Sequence, residues 1–221
     1  MIHAKNRQSS ENIREVQLDC DWTKTTEADY FDFLKNVRSA LGSHNIKLSA
    51  TIRLHQLRMA VPPVDKGVLM CYNTGAIRNN ETRNSILTAK DVAPYAKYLK
   101  SYQLPLDIAY PTFSWAVWFN NEGKFQALLR NVNPEDPNLT QISGNNYRVT
   151  NGCYRESHYL AVDDQIRFES STFDEILQTK KMLEHQLDHY SIILYHLDQT
   201  NLSKYTGNEI NKMYTSFADV R

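Results

Sequence analysis

The chain carries no excess charge of either sign: Lys+Arg and Asp+Glu number 25 each in 221 residues. Such a balance gives no electrostatic argument for nucleic acid or an anionic membrane as partner, and no nucleic acid is expected. No apolar run is long enough to span a bilayer, and Met1-Ile2-His3-Ala4-Lys5-Asn6-Arg7 lacks the apolar core of a secretion signal. Cysteine is scarce: Cys20, Cys71 and Cys153 have neither metal-ligand spacing nor an even-numbered disulfide framework. No metal or cofactor is indicated. Cys20 and Cys71 fall inside predicted strands and read as small core residues. No strand is followed by a glycine-rich phosphate loop, which weakens dinucleotide and P-loop readings. Internal repeats and low-complexity segments are absent too. Aromatic side chains are plentiful, with 13 tyrosines and 3 tryptophans. They can stack on sugars as well as fill a core.

The elements that can be read alternate. Residues 14–22 form a predicted strand, and Thr26 opens a helix to about Leu41 with Tyr30, Phe33, Leu34, Val37 and Leu41 on one face. Residues 46–55 alternate strictly, with Ser49, Thr51, Arg53 and His55 on one face and Leu48, Ala50, Ile52 and Leu54 on the other. Residues 66–73 and 104–111 are two further strands, and Asp91 caps a helix between them that reaches about Ser101. The rhythm breaks over 112–170, where Trp115–Phe119 and Lys124–Leu129 flank the turn Asn120-Asn121-Glu122-Gly123 and Asn133–Asn146 reads as an exposed loop. It resumes with Thr172-x-x-Glu175 before a helix to about Leu187 and a fifth strand, 191–197. Thr206-x-x-Glu209 then opens a closing helix with Ile210, Met213, Tyr214 and Phe217. Strands alternating with helices imply a parallel α/β sheet, either open and doubly wound or an arc of a (β/α)8 barrel.

Polar residues gather at the predicted C-terminal strand ends: Asp19, Asp21, Arg53, His55, Tyr72, Asn73, Tyr195, His196 and Asp198. A barrel builds its active site at that end. In Leu18-Asp19-Cys20-Asp21-Trp22 two carboxylates share a strand face. Buried carboxylates need hydrogen bonds or a chemical use. Arg53 is the expected ion-pair partner of Asp19 or Asp21, since buried charge needs compensation. His55 reads equally as a structural or a catalytic histidine. Trp115 and Trp118 read as packing residues.

With these residues placed, the chain resembles the family 18 glycoside hydrolases, the chitinase-like TIM barrels. Their fourth strand ends in D-x-x-D-x-D-W-E, and Val16-Gln17-Leu18-Asp19-Cys20-Asp21-Trp22-Thr23 keeps the second and third acids and the Trp. Val16 stands for the first Asp and Thr23 for the Glu. The fifth-strand L-T-x-A is similar to Leu48-Ser49-Ala50-Thr51, and the sixth-strand M-x-Y-D to Met70-Cys71-Tyr72-Asn73. The seventh-strand G-x-P-x-Y-G is similar to Ala109-Tyr110-Pro111-Thr112-Phe113-Ser114, and the eighth-strand W-x-L-D to Tyr195-His196-Leu197-Asp198.

The resemblance implies one partial barrel domain over 1–221, covering strands 4 to 8, with 112–170 inserted after the seventh strand. It implies a saccharide ligand held by Arg53, His55, Tyr72, Asn73 and Tyr195, all at one mouth with the acids. In the family the Glu protonates the glycosidic oxygen and the preceding Asp, here Asp21, positions the substrate's acetamido group. Thr23 cannot donate that proton near neutral pH, a loss on the order of 10²–10⁴-fold. Asp19 and Asp21 are then the catalytic candidates if the chain is active; otherwise it binds sugar without cleaving it. Secretion or a cell-envelope location is the family's implication, and open strand edges would favour self-association.

Overall fold

The computed structural model describes residues 13–187 and 190–215. These gather into two compact units. One draws on residues 13–70, 95–109, 186–187 and 190–193, the other on 71–94, 110–185 and 194–215.

The alternating segments form β1 (Glu15–Leu18), α1 (Glu27–Gly42), β2 (Lys47–Arg53), β3 (Lys66–Met70), α2 (Ala89–Ala96) and β4 (Leu106–Pro111). A distant strand, Ile192–Tyr195, completes their sheet in the order β1-β2-β3-β4 and then that strand. β1, β2, β3 and β4 pair in parallel. At the last strand, Ile108 N–H donates to Ser191 O and Thr112 N–H to Tyr195 O. Both chains advance together between those two bonds, so this pair is parallel as well. The order follows the chain without reversal, which removes the doubly wound alternative.

Burial explains why these segments are strands. Leu48, Ala50, Ile52, Leu69 and Ile108 are fully buried, and so is Ser49 on the other face of β2. Sheets covered on both faces favour short runs of β-branched and small residues. Gly67 has no room for a side chain, because a Cβ there would lie 2.7 Å from Leu106 Cδ2 and 2.9 Å from Ile52 Cγ1. At the N-terminal ends, Lys66 Nζ lies 2.7 Å from Asp107 and 3.3 Å from Glu15, tying β1, β3 and β4 together. The Asp107 hydrogen bond is the main cause holding the Lys66 pKa above its usual range. Asp65, just before β3, ties β2 to α1: it accepts from Leu48 N–H at 2.9 Å and from Arg38 of α1.

Residues 114–170 hold β5 (Ser114–Phe119), β6 (Phe125–Leu129), β7 (Leu139–Ser143), β8 (Asn146–Val149), β9 (Cys153–Arg155), β10 (His158–Leu160) and β11 (Gln165–Ser170). Five of these make an antiparallel sheet in the order β6-β5-β11-β8-β7, and β9 and β10 make a separate hairpin. Their core is Ala116, Leu129, Leu139, Val149, Leu160 and Ile166. The predicted loop Asn133–Asn146 therefore contains a strand, β7, whose residues after Leu139 are exposed. An edge strand with one inward side chain leaves almost no apolar alternation to read.

The remaining elements are α3 (Phe173–Glu184), β12 (Ile192–Tyr195, the strand beside β4), α4 (Gln199–Leu202) and α5 (Gly207–Tyr214). α5 begins with the full reciprocal cap: Thr206 Oγ1 accepts from Glu209 N–H and Glu209 accepts from Thr206 N–H. The Thr206 N–H first, and then the Thr206 hydroxyl donating to the same carboxylate oxygen at 2.8 Å, lower the Glu209 pKa. α3 keeps half of its cap, with Thr172 accepting from Glu175 N–H. The Glu175 carboxylate goes instead to Ala89 N–H at 2.8 Å, the first turn of α2. α2 thus starts before Asp91, with Thr88 as its cap: Thr88 Oγ1 accepts from Asp91 N–H. Of the predicted closing-helix residues, Phe217 lies outside the described residues.

Candidate functional site

The predicted strand 14–22 stops at Leu18, so Asp19, Cys20 and Asp21 lie in the loop beyond it. Cys20 is exposed, a correction to its core placement, whereas Cys71 is fully buried and burial pushes its thiol pKa up. The acids nevertheless keep strand geometry. β1 pairs with β2 at Gln17↔Ser49 and Leu18↔Ala50. Asp19 then accepts from Thr51 Oγ1 at 2.8 Å, and Asp21 takes Arg53 Nε at 2.6 Å and Nη2 at 3.1 Å. Each partner lies 32 residues on, the same offset as in the backbone ladder. Side-chain bonds thus continue the register after the main-chain bonds end.

The expected Arg53 pairing is with Asp21 and is bidentate, the geometry that best suits a guanidinium. Gln56, absent from the sequence-based candidates, holds the loop in place. Its side chain accepts from Arg53 N–H at 2.7 Å and donates to Trp22 O at 2.9 Å, and it is 1% exposed. The same bond turns the chain out of β2 into a 3-10 segment, Leu54–Arg58. His55 falls in that segment and is exposed, so it leaves the face of Ser49, Thr51 and Arg53. Trp22 is buried against Phe31 at 5.2 Å and Tyr30 at 6.2 Å, which anchors the loop to α1. The Tyr30 pKa is pushed up to about 12, by burial first and then by Cys20 and Asp19. Thr23 is exposed, and its hydroxyl is 2.8 Å from that of Thr25.

The second unit carries an aromatic group. The Tyr72 and Tyr195 rings stack with centroids 5.3 Å apart, and Phe113 meets them edge-on at 5.8 and 6.1 Å. Trp115 lies 5.1 Å from Phe113, and His196 lies 5.3 Å from Tyr195. Tyr72 is buried but Tyr195 is 47% exposed, so one side of the cluster is open to solvent. Asn73 is exposed with φ 55°. The peptide bond between Tyr195 and His196 is cis.

Trp115 is fixed from behind. Its Nε1 donates to Glu169 at 2.7 Å, and Ser85 Oγ donates to the same carboxylate. Arg167 Nε, 2.6 Å away, donates to the other oxygen, and its Nη atoms donate to Asn79 O and Ile77 O. Arg167 and Glu169 side chains are 1% and 0% exposed. Trp118 donates to Asp164 at 2.8 Å and packs on the antiparallel core. Both tryptophans are packed, as expected. Sequence pattern hid the Arg167–Glu169 pair, since alternating charges on a strand read as a solvated face.

Among the described residues no group of three or more His, Cys, Asp or Glu could hold a metal ion, and no helix is long and apolar enough to cross a membrane.

No protein-family model matches the chain. No curated protein sequence matches it either. Solved structures do. The spore cortex-lytic enzyme SleL of Bacillus cereus is similar over 91% of this chain and 49% of its own, at TM-score 0.52 and 16% identity. The chitinase ChiB of Flavobacterium johnsoniae is similar over 91% of this chain and 60% of its own, at TM-score 0.55 and 14% identity. A Cycas revoluta chitinase, solved with (GlcNAc)3, is similar over 90% of this chain and 66% of its own, at TM-score 0.51 and 11% identity. The chain spans about half the length of SleL. At these identities the likeness concerns the backbone, and it agrees with the parallel strand order. The chain has, at a distance and in part, the chitinase-like fold of the family 18 glycoside hydrolases.

Proposed function

We propose that the protein is a glycosidase-like saccharide binder that lacks the family's proton donor. The observation that carries this reading is the strand-end arrangement at β1 and β2. Asp19 and Asp21 are held in register by Thr51 and Arg53, and Thr23 follows where the family has its acid. Carboxylates and a guanidinium give directional hydrogen bonds to hydroxyl and acetamido groups. The exposed Tyr195 ring, backed by Tyr72 and Phe113, offers a surface for the apolar face of a pyranose. Asn73 stands beside Tyr72 at the matching motif position and is a further polar contact. His55, displaced into the 3-10 segment, has the weakest support. In this reading β1, β2, β3, β4 and β12 stand for barrel strands four to eight, and 112–170 is the insertion after the seventh. β1 and β12 are the outer strands of the sheet, which supports pairing with further strands or a second copy.

Cleavage by the family's route needs a protonated acid beside the scissile oxygen. The Thr23 hydroxyl is engaged with threonine hydroxyls and has no acidity at neutral pH. Asp21 is occupied by Arg53, which leaves Asp19 as the carboxylate with the lighter engagement. An active enzyme would have to use it. The experiment is titration of an N-acetylglucosamine trimer into the chain, with reducing ends measured in parallel. Binding without hydrolysis is expected, weakened by Asp21→Ala and by Tyr195→Ala. Rapid hydrolysis, or no binding at all, contradicts the reading.

A further inference from the structure

The β9–β10 hairpin bears two tyrosines that the strand-end reading does not use. Tyr154 and Tyr159 are directly opposite each other across the strands. They are 71% and 53% exposed, with ring centroids 5.2 Å apart and planes tilted 57°. The opposite face of the ribbon is committed to the core, with Leu160 buried and Cys153 packed against the same cluster. Alternation then sends both tyrosines outward.

The hairpin is built to hold this pose. Its two-residue loop, Glu156 and Ser157, has φ of 47° and 69°, the positive values that a type I′ turn requires. Neither residue favours that conformation. Glu156 is held there because its carboxylate accepts from the N–H groups of Arg130, at 2.6 Å, and Asn131. Gly152 supplies the space for Tyr159: a Cβ at Gly152 would stand 2.2 Å from the Tyr159 hydroxyl oxygen. The flanking charges are already engaged. Arg155 Nε donates to Asp136 at 2.6 Å and its Nη1 to Tyr154 O, and Glu156 is occupied as described. His158 is exposed, with its ring 5.7 Å from that of Trp118.

An exposed pair of tilted rings, flanked by the Arg155–Asp136 ion pair and a Glu156 carboxylate already turned to the backbone, narrows the ligand class. A protein partner of ordinary stability needs roughly 800 Å² per side, and two tyrosines offer about 150–250 Å² each at most. One or two sugar rings fit that area. The C–H groups on the face of an equatorially substituted pyranose carry partial positive charge and meet the negative face of an aromatic ring, while the two phenol hydroxyls can bond the sugar's rim. We propose that Tyr154 and Tyr159 form a second saccharide-binding platform, for a neutral chain of equatorially substituted pyranoses, separate from the strand-end groups. The proposal rests on the reading that the protein handles saccharide.

The test is calorimetric titration of an N-acetylglucosamine hexamer into the full chain. The variants are Tyr154→Ala, Tyr159→Ala, Tyr154→Phe and Gly152→Ala, each also placed on an Asp21→Ala/Tyr195→Ala background. Circular dichroism checks that each variant is folded. Both alanine variants should weaken binding about two- to tenfold on either background. Tyr154→Phe, which keeps the ring, should lose less. Gly152→Ala should weaken binding by displacing Tyr159. Unchanged affinity in both alanine variants overturns the platform, as does complete loss of binding in the Asp21→Ala/Tyr195→Ala chain. Normal binding in that background, lost with Tyr154→Ala, upholds the platform and overturns the strand-end site. No binding by the unaltered chain overturns both.

Discussion

Replacing Glu169 by Gln tests the buried network behind the aromatic cluster. Glu169 accepts from three donors: Arg167 Nε, Ser85 Oγ and Trp115 Nε1. A glutamine has one acceptor oxygen. Its amide group must point an N–H at Arg167 or at the Ser85–Trp115 pair. It also leaves the Arg167 guanidinium, 1% exposed, without its counter-charge. Breaking a buried ion pair from one side costs about 3–5 kcal/mol. For a domain of this size that is a fall in Tm of about 6–20 °C. Urea unfolding should show a lower midpoint at an unchanged slope, and near-ultraviolet circular dichroism should report the freed Trp115. An Arg167→Met/Glu169→Met double variant removes both charges together. It should cost less than the sum of its single changes by about 1–3 kcal/mol, because those two residues are one network. It will not be free of cost, since Ile77 O and Asn79 O also lose their donor. A Glu169→Gln cost below about 1 kcal/mol, or strict additivity in the double variant, would refute the argument.

Gln56→Ala should cost about 1–3 kcal/mol in urea unfolding, because Arg53 N–H and Trp22 O both lose the partner that Gln56 gives them. Gly67→Ala should cost about 1–3 kcal/mol by overpacking against Leu106 and Ile52, read as a lower unfolding midpoint. The Asp65 pKa is held below its unfolded value of 3.8, first by the Leu48 N–H and then, against burial, by Arg38. A depressed carboxylate stabilises the fold above 3.8, and that contribution disappears as pH falls through the lower folded value. Asp65→Asn should therefore be less stable than the parent at pH 6, and the gap should narrow in unfolding curves taken below pH 3.8; a gap that widens in acid contradicts the assignment.

The parallel sheet was legible because its strands are short, apolar and separated by capped helices. Chain-order pairing followed from that rhythm. Element ends were less legible, since side chains of distant residues decide them. Gln56 ends β2 before His55, and Glu175, three residues after its own cap Thr172, leaves that cap to hold the first turn of α2. β7 was invisible because only Leu139 faces inward. The Glu156-Ser157 turn lacks glycine or asparagine and is stabilised from Arg130 and Asn131, well away in sequence. For the candidate site, the pairing of Arg53 with an aspartate could be foreseen from charge and face. The share of Asp19 with Thr51, and the backing of Trp115 by Glu169, depend on register and on burial that no local pattern encodes.

The most direct test of saccharide binding without the family's proton donor is one experiment with two readouts. The N-acetylglucosamine trimer is titrated calorimetrically into the chain, and reducing ends are counted over the same period. The account predicts saturable binding that Asp21→Ala or Tyr195→Ala weakens by about 1–3 kcal/mol, with no reducing ends above the uncatalysed level. Turnover of the trimer by the unaltered chain, or binding indifferent to both substitutions, would contradict it.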